Sequence, residues 1–256
     1  MGIIATSIYS TNWNFGYKRK VCLETMRLYI TYIFLFYEVC AQQYSISVFG
    51  FHASDVNMIQ DSTSIEFQAQ TRGVFDLIWP TNNYYKAKFE ADNFSIKSWD
   101  KTIKQGQYKT SISGIINSGG HMVYNKKEKI EVSNDTHNIF SLLAMVNTFD
   151  KTNLDTKWFE YEHEGNLGRA RFIWADSSNV RTLQDSLLCD HYRFDIEIVD
   201  STKNMKTKDY FMNNITSTDI IRELWVTKSK PRRIILAKVT NNFFSVWARI
   251  QIDKEL

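Results

Sequence analysis

Proline is nearly missing from this chain of 256 residues, which holds two, and glycine and cysteine are sparse at ten and three. So few breakers leave no Gly/Pro-rich linker, and without an internal period a short-repeat solenoid is excluded as well. Charge of one sign is also lacking. The formal net charge is +3, and Lys18, Arg19, Lys20 and Arg27 outnumber Glu24 and Glu38 at the N-terminus, so the remainder is close to neutral. A near-neutral surface offers no long-range field to gather nucleic acid or anionic lipid, so membrane contact is expected only through an uncleaved leader. Among chemical motifs, G-x-S-x-G, a phosphate-binding P-loop, G-x-G-x-x-G, H-E-x-x-H and C-x-x-C are all missing. No cofactor or metal is expected. What is present is globular composition, 43% hydrophobic, 14% aromatic and 23% charged, at a length that suits one large β domain or two small ones.

The strongest local signal lies at the N-terminus. Arg27 flanks Leu28 to Tyr37, an apolar stretch with only Thr31 clearly polar, and Val39-Cys40-Ala41 follows with small residues. That is the layout of a signal peptide, too short for a membrane span, which needs about 20 apolar residues. The expectation is a leader over residues 1–41 cleaved after Ala41, with Met1 or Met26 as the translation start, and an exported domain over residues 42–256. Its one cysteine, Cys189, permits no internal disulfide.

Beyond the leader, period-two alternation dominates. In His191 to Val199, Tyr192, Phe194, Ile196 and Ile198 share one face while Arg193, Asp195 and Glu197 share the other, the pattern of a half-buried antiparallel strand. It recurs at Ile65 to Gln70, Tyr85 to Ala91, Arg169 to Trp174 and Phe244 to Ile250. Shorter strands are expected at Tyr44 to Phe49, Phe94 to Trp99, Tyr108 to Ile112, Lys157 to Tyr161, Leu224 to Thr227 and Ile234 to Val239. One long helix is expected, over residues 134–147, capped within Ser133-Asn134-Asp135 and carrying Ile139, Leu142, Leu143 and Val146 as an apolar stripe. The fold expected is mainly β, a large curled antiparallel sheet forming an open barrel or clam, with this mid-chain helix plugging its open side or end.

On those elements the chain resembles a family of bacterial exported proteins, domain of unknown function family 3108. The features that carry the likeness are His137 to Val146, then Leu224-Trp225-Val226-Thr227 ahead of a basic turn, and the closing strand Val246 to Ile250. The resemblance spans nearly all of residues 43–252. It implies a periplasmic or cell-envelope location and a mostly antiparallel β fold, and it carries over no catalytic residue.

Three polar groups invite a chemical reading. In Glu160-Tyr161-Glu162-His163-Glu164 the imidazole should face away from the acids, because alternate strand residues project to opposite sides. Cys189 and His191 share a strand face, yet no oxyanion donor accompanies them. Lys228 to Arg233 suits an exposed hairpin tip able to meet phosphate or anionic headgroups. The aromatic content is the remaining clue: the six of seven tryptophans that follow the leader, Trp79, Trp99, Trp158, Trp174, Trp225 and Trp247, exceed what a minimal β core needs. The expectation is a non-enzymatic envelope module binding a lipid, another apolar ligand or a protein partner on a concave face that includes Phe172, Trp174, Phe194 and Ile196. The alternative is an exported hydrolase built on the His163 or His191 neighbourhood.

Overall fold

The computed structural model describes residues 40–125, 127–183, 185–201, 207–241 and 243–251, so the leader expected over 1–41 lies outside it except for its last two residues. Fourteen strands follow one another: Cys40–Val48 (β1), Phe51–Gln60 (β2), Ser64–Thr71 (β3), Asn82–Phe89 (β4), Ile96–Gln105 (β5), Tyr108–Ile116 (β6), His121–Tyr124 (β7), Glu128–Glu131 (β8), Trp158–His163 (β9), Asn166–Arg181 (β10), Ser186–Asp200 (β11), Ile221–Thr227 (β12), Ile234–Thr240 (β13) and Ser245–Gln251 (β14). They form a single antiparallel sheet. From β8 back to β1 each strand pairs with its sequence neighbour, β1 then pairs with β14, and the run continues down to β9. The mainly β, curled-sheet expectation holds. Cys40 and Ala41 already pair with Gln60 and Ile59, so the boundary expected after Ala41 falls two residues inside β1.

The two outer strands, β8 and β9, are not hydrogen-bonded to each other. The chain leaving β8 spans the gap: His137 donates its N–H to Glu160 O at 2.8 Å and accepts from Glu162 N–H at 2.8 Å. This parallel bridge covers a sheet edge that would otherwise present bare backbone groups. A hollow of about 330 Å³ lined by Val132, Ser133, Tyr161 and Gly168 marks the seam. Gly168 sits at a register shift between β10 and β11, and a Cβ there would stand 2.0 Å from Glu197 O. No other residue fits that approach.

Alternation explains the facing of the long hairpin. Tyr192, Phe194 and Ile196 of β11 point inward, while Arg193 and Glu197 point out. Across from them, Arg169 meets Glu197 at 2.9 Å and Arg171 meets Asp195 at 3.3 Å on the wet face. The strands that the sequence conceals are those without clean alternation. β2 buries Ala53 and Ser54 in succession, beside an irregularity at Ile46/Ser47, while β7 and β8 have four residues each. A further irregularity between Trp174 and Asp176 resets the hairpin and hides its extension to Arg181.

Four short helices interrupt the strands: Gly73–Ile78 (α1), Ile139–Val146 (α2), Lys151–Leu154 (α3) and Tyr210–Thr216 (α4). α2 is the mid-chain helix, five residues shorter at its start than expected. Asn134 and Asp135 instead form a turn and His137 bridges to β9, and Asn138 is the cap, its side chain accepting from Ser141 N–H while Ser141 Oγ accepts from Asn138 N–H. α2 also departs from a single apolar stripe. Seven of its eight residues are buried, which places it inside the curl and not across an open side. Phe140 packs between Phe67 and Tyr85, with ring centroids 5.6 and 5.3 Å away, and Gln60 and Asn147 tie the helix end to β2 and β13.

Because Leu142 is fully enclosed, Leu142→Ala should leave a cavity in the packed interior and cost about 2–5 kcal/mol. Chemical denaturation of wild type and variant measures it, and an unchanged midpoint would mean that α2 is not held in the core.

Candidate functional site

Phe172, Phe194 and Ile196, three of the four side chains expected on a ligand-binding face, are buried, and Trp174 is half-buried. All four point into the curl, Phe172 opposite Phe194 and Trp174 opposite Tyr192. Phe172 and Phe194 stack on each other at 4.8 Å, and Lys151 covers the Trp174 ring at 4.0 Å. The hollow at the seam does not touch them. Of the six tryptophans only Trp99 is fully buried. Trp225 and Trp247 stack at 6.4 Å on the outer surface.

The interior also holds charge. Lys101, at the middle of β5, has no exposed side-chain surface and is paired with Glu164 and, at 3.1 Å, with Asp209. Asp209 caps α4 by accepting from Met212 N–H at 3.2 Å, and also takes hydrogen bonds from Tyr85 and Gln105 at 3.1 and 3.3 Å. Glu164 accepts from Thr207 N–H at 2.7 Å. One ammonium thus fastens β5 to the β9–β10 turn and to the segment that leads into α4. The alternation expected for Glu160 to Glu164 breaks here. Residues 161–164 are all buried, because Glu164 takes a positive φ of 50° and folds the turn inward onto Lys101.

Glu162 and His163 share this enclosure. Glu162 accepts from Tyr124 and, at 2.8 Å, from Gly165 N–H, while its second oxygen has no partner. Burial raises its carboxyl to about 7. His163 stacks on Trp99 at 5.4 Å, with Nε2 3.5 Å from Glu164, so it does not face away from every neighbouring acid. Burial, reinforced by the Lys101 charge, pushes it down to about 3. It is neutral at neutral pH. His191 lies on the outer face, stacked on Trp225 at 4.3 Å, with Glu223 at 3.2 Å and Asp176 at 3.5 Å. Neither imidazole has a hydroxyl or thiol hydrogen-bond partner among the described residues. Cys189 is buried with its thiol raised to about 11, first by burial and then by Asp190, so it is protonated and a poor nucleophile. The basic turn is only partly a free tip. Arg232 turns inward to Asp190 at 3.3 Å.

The exterior of one end of the sheet is different. α1 buries none of its residues, and Leu77 and Ile78 are 86% and 75% exposed beside exposed Val74 and Trp79. The β1–β2 turn presents Phe49 at 71% and the β13–β14 turn Phe243 at 88%. These three connections are neighbours in the sheet, since β13, β14, β1, β2 and β3 are consecutive. Phe49 and Phe244 come within 6.0 Å. The β1–β2 turn has two central residues, Phe49 and Gly50, with φ of 51° and 81°, where Asn-Gly would be the unstrained choice. A bulky aromatic in a left-handed position, pointing into water, is there for a reason other than the turn. Sequence reasoning passed over this end. The available signal was Val74-Phe75-Asp76-Leu77-Ile78-Trp79-Pro80, an apolar run that neither alternates nor extends far enough for a core helix.

No family model and no curated protein matches this chain. Among solved structures it is similar to a β-barrel-like protein of domain of unknown function DUF1849 from Brucella abortus, with 8% identity, a TM-score of 0.50, and coverage of 82% of this chain and 95% of that one. The likeness bears on fold alone and supports a β-barrel-like domain.

The enclosure of Glu162 and His163 makes stability depend on pH in two opposed ways. Glu162 is raised from 4.5, so the native state holds a proton that the unfolded chain gives up, and stability is lost as pH rises from 4.5 through about 7. His163 is lowered from 6.5, so stability is lost as pH falls from 6.5 through about 3. The two slopes oppose each other between 4.5 and 6.5. Glu162→Gln should leave only the His163 slope, with stability rising across that window by on the order of 2 kcal/mol relative to wild type, and His163→Gln should leave the reverse. Denaturant titrations at pH 4.5 and 6.5 read both. Parallel profiles for all three proteins would contradict the burial of this pair.

Proposed function

We propose that this protein is a non-enzymatic binding module that works from the outside of one end of its barrel, where α1 and the two adjoining turns carry apolar side chains in water. The observation that carries the proposal is α1 itself. A helix that buries nothing gains no stability from its apolar residues, and a monomer rarely keeps such a contiguous patch without a use. The packed interior supports the same reading: α2 occupies the space in which an apolar guest would otherwise lie, and the inward faces of β10 and β11 meet side chains. The lipid, apolar ligand or protein partner expected from the sequence is therefore assigned to the rim, not to Phe172, Trp174, Phe194 and Ile196. Export to the envelope belongs to the proposal, supported by the apolar run Leu28 to Tyr37 and by the resemblance to exported β proteins of family 3108.

A fluorescent acyl-chain probe tests the site. Wild type should bind it at on the order of micromolar concentration, Leu77→Ser/Ile78→Ser should weaken binding by about tenfold, the scale of removing two exposed aliphatic contacts, and Phe172→Leu should leave it unchanged. Binding that follows Phe172 and ignores α1 would return the site to the interior.

A further inference from the structure

The apolar rim is backed by a layer of positive charge, most of it without an acidic partner. Behind α1 lies a hollow of about 400 Å³ whose lining includes Arg72, Lys104 and Lys109, with Asp76 the one acid. Asp76 is occupied by a hydrogen bond from Thr71 at 2.8 Å, and Arg72 keeps free donors beyond the single Nε bond it makes to Asp55 at 2.7 Å. Lys104 and Lys109 are directly opposite each other in the β5–β6 ladder. Among the described residues neither has an acidic partner within ion-pair distance. Like charges set face to face across a ladder destabilise it, so the arrangement calls for an anion. The β5–β6 turn is held against the base of α1 by the Gly106 N–H, which donates to Pro80 O at 2.8 Å, so the cations stand one step behind the apolar tips. Along the chain Trp79 is the C-cap of α1 and directly precedes Pro80, which lines the hollow.

From tip to base the order is therefore aliphatic and phenyl side chains, an indole, then cations. This is the order of a bilayer surface entered from water in reverse: acyl chains, the interface where tryptophan gathers, and phosphate headgroups. We propose, resting on the exterior reading above, that the occupant of this end is an anionic phospholipid bilayer, with Leu77, Ile78 and Phe49 inserted below the headgroups and Arg72, Lys104 and Lys109 on lipid phosphates. Charge complementarity favours a lipid over a protein groove. Lys104 and Lys109 meet no acid within ion-pair distance and Arg72 is paired with Asp55 through Nε alone, and the apolar groups stand on three separate connections that a fluid surface accommodates without shape matching.

Hydrogen exchange of the full chain with vesicles tests this locally. With phosphatidylcholine vesicles containing phosphatidylglycerol, residues 48–52 and 72–81 should be protected severalfold, while β10 and β11 exchange as before. Leu77→Ser/Ile78→Ser should abolish that protection. Lys104→Glu/Lys109→Glu should weaken vesicle binding by about tenfold or more, as should added salt. All the substituted positions are at the surface, and unchanged exchange in β11 confirms that each variant is folded. Protection that is equal on pure phosphatidylcholine, or missing on both vesicles, overturns the anionic-bilayer proposal. If the acyl probe still depends on Leu77 and Ile78 in that case, the exterior reading survives; if the probe ignores them as well, both fall.

Discussion

The side chain of Lys101 is the point on which the interior depends. A sheet of fourteen strands curled on itself encloses more volume than its own inward residues fill, and this chain fills it from two directions, with α2 and with the segment leading into α4. The second is fastened through a buried ammonium. Lys101 reaches Glu164 and Asp209, Asp209 also receives Tyr85 and Gln105 and caps α4, and Glu164 receives the Thr207 amide. Every charge there lies out of water, where a pair gains little over an apolar contact but the loss of one partner strands the other at a cost of roughly 3–5 kcal/mol. The network therefore specifies one closure of the barrel more than it adds to stability.

On the proposed reading, the packing of the interior moves function outward. With α2 covering the inward faces of β3 and β4 and the aromatic residues of β10 and β11 stacked on one another, half of the large apolar side chains still in water among the described residues stand on α1 and the turns beside it. Phe49 sharpens the point, since it holds a left-handed turn position that Asn or Gly would fill without strain. A residue kept at a conformational cost and exposed to solvent is better explained by what it meets than by what it folds. The cationic hollow behind α1 then gives that contact its sign.

Much of the fold was legible because one face of most strands is wet. Tyr192, Phe194 and Ile196 against Arg193 and Glu197 fix β11, its facing and its pairing with β10. β2 was hidden because Ala53 and Ser54 are buried in succession, and β7 and β8 because four residues show no period. The start of α2 was misplaced because Asn134 and Asn138 are equally good caps, and only the extended bridge of His137 to β9 decides between them. The site was less legible than the fold. Phe172, Trp174, Phe194 and Ile196 do share a face, but alternation reveals which way a side chain points and not whether the space before it is empty. The inward turn of Glu164 needed a partner, Lys101, 63 residues away. Leu77 and Ile78 were overlooked because an apolar run in sequence looks the same whether it is buried or exposed.

Native mass spectrometry of the protein purified from its own cells, compared with its denatured mass, tests the central claim most directly. The account predicts that after exchange into detergent-free buffer the folded and unfolded masses agree, because the interior is closed and rim contacts are released with the membrane. A stoichiometric apolar molecule that stays through desalting and leaves only on unfolding would place the ligand inside the barrel and contradict it.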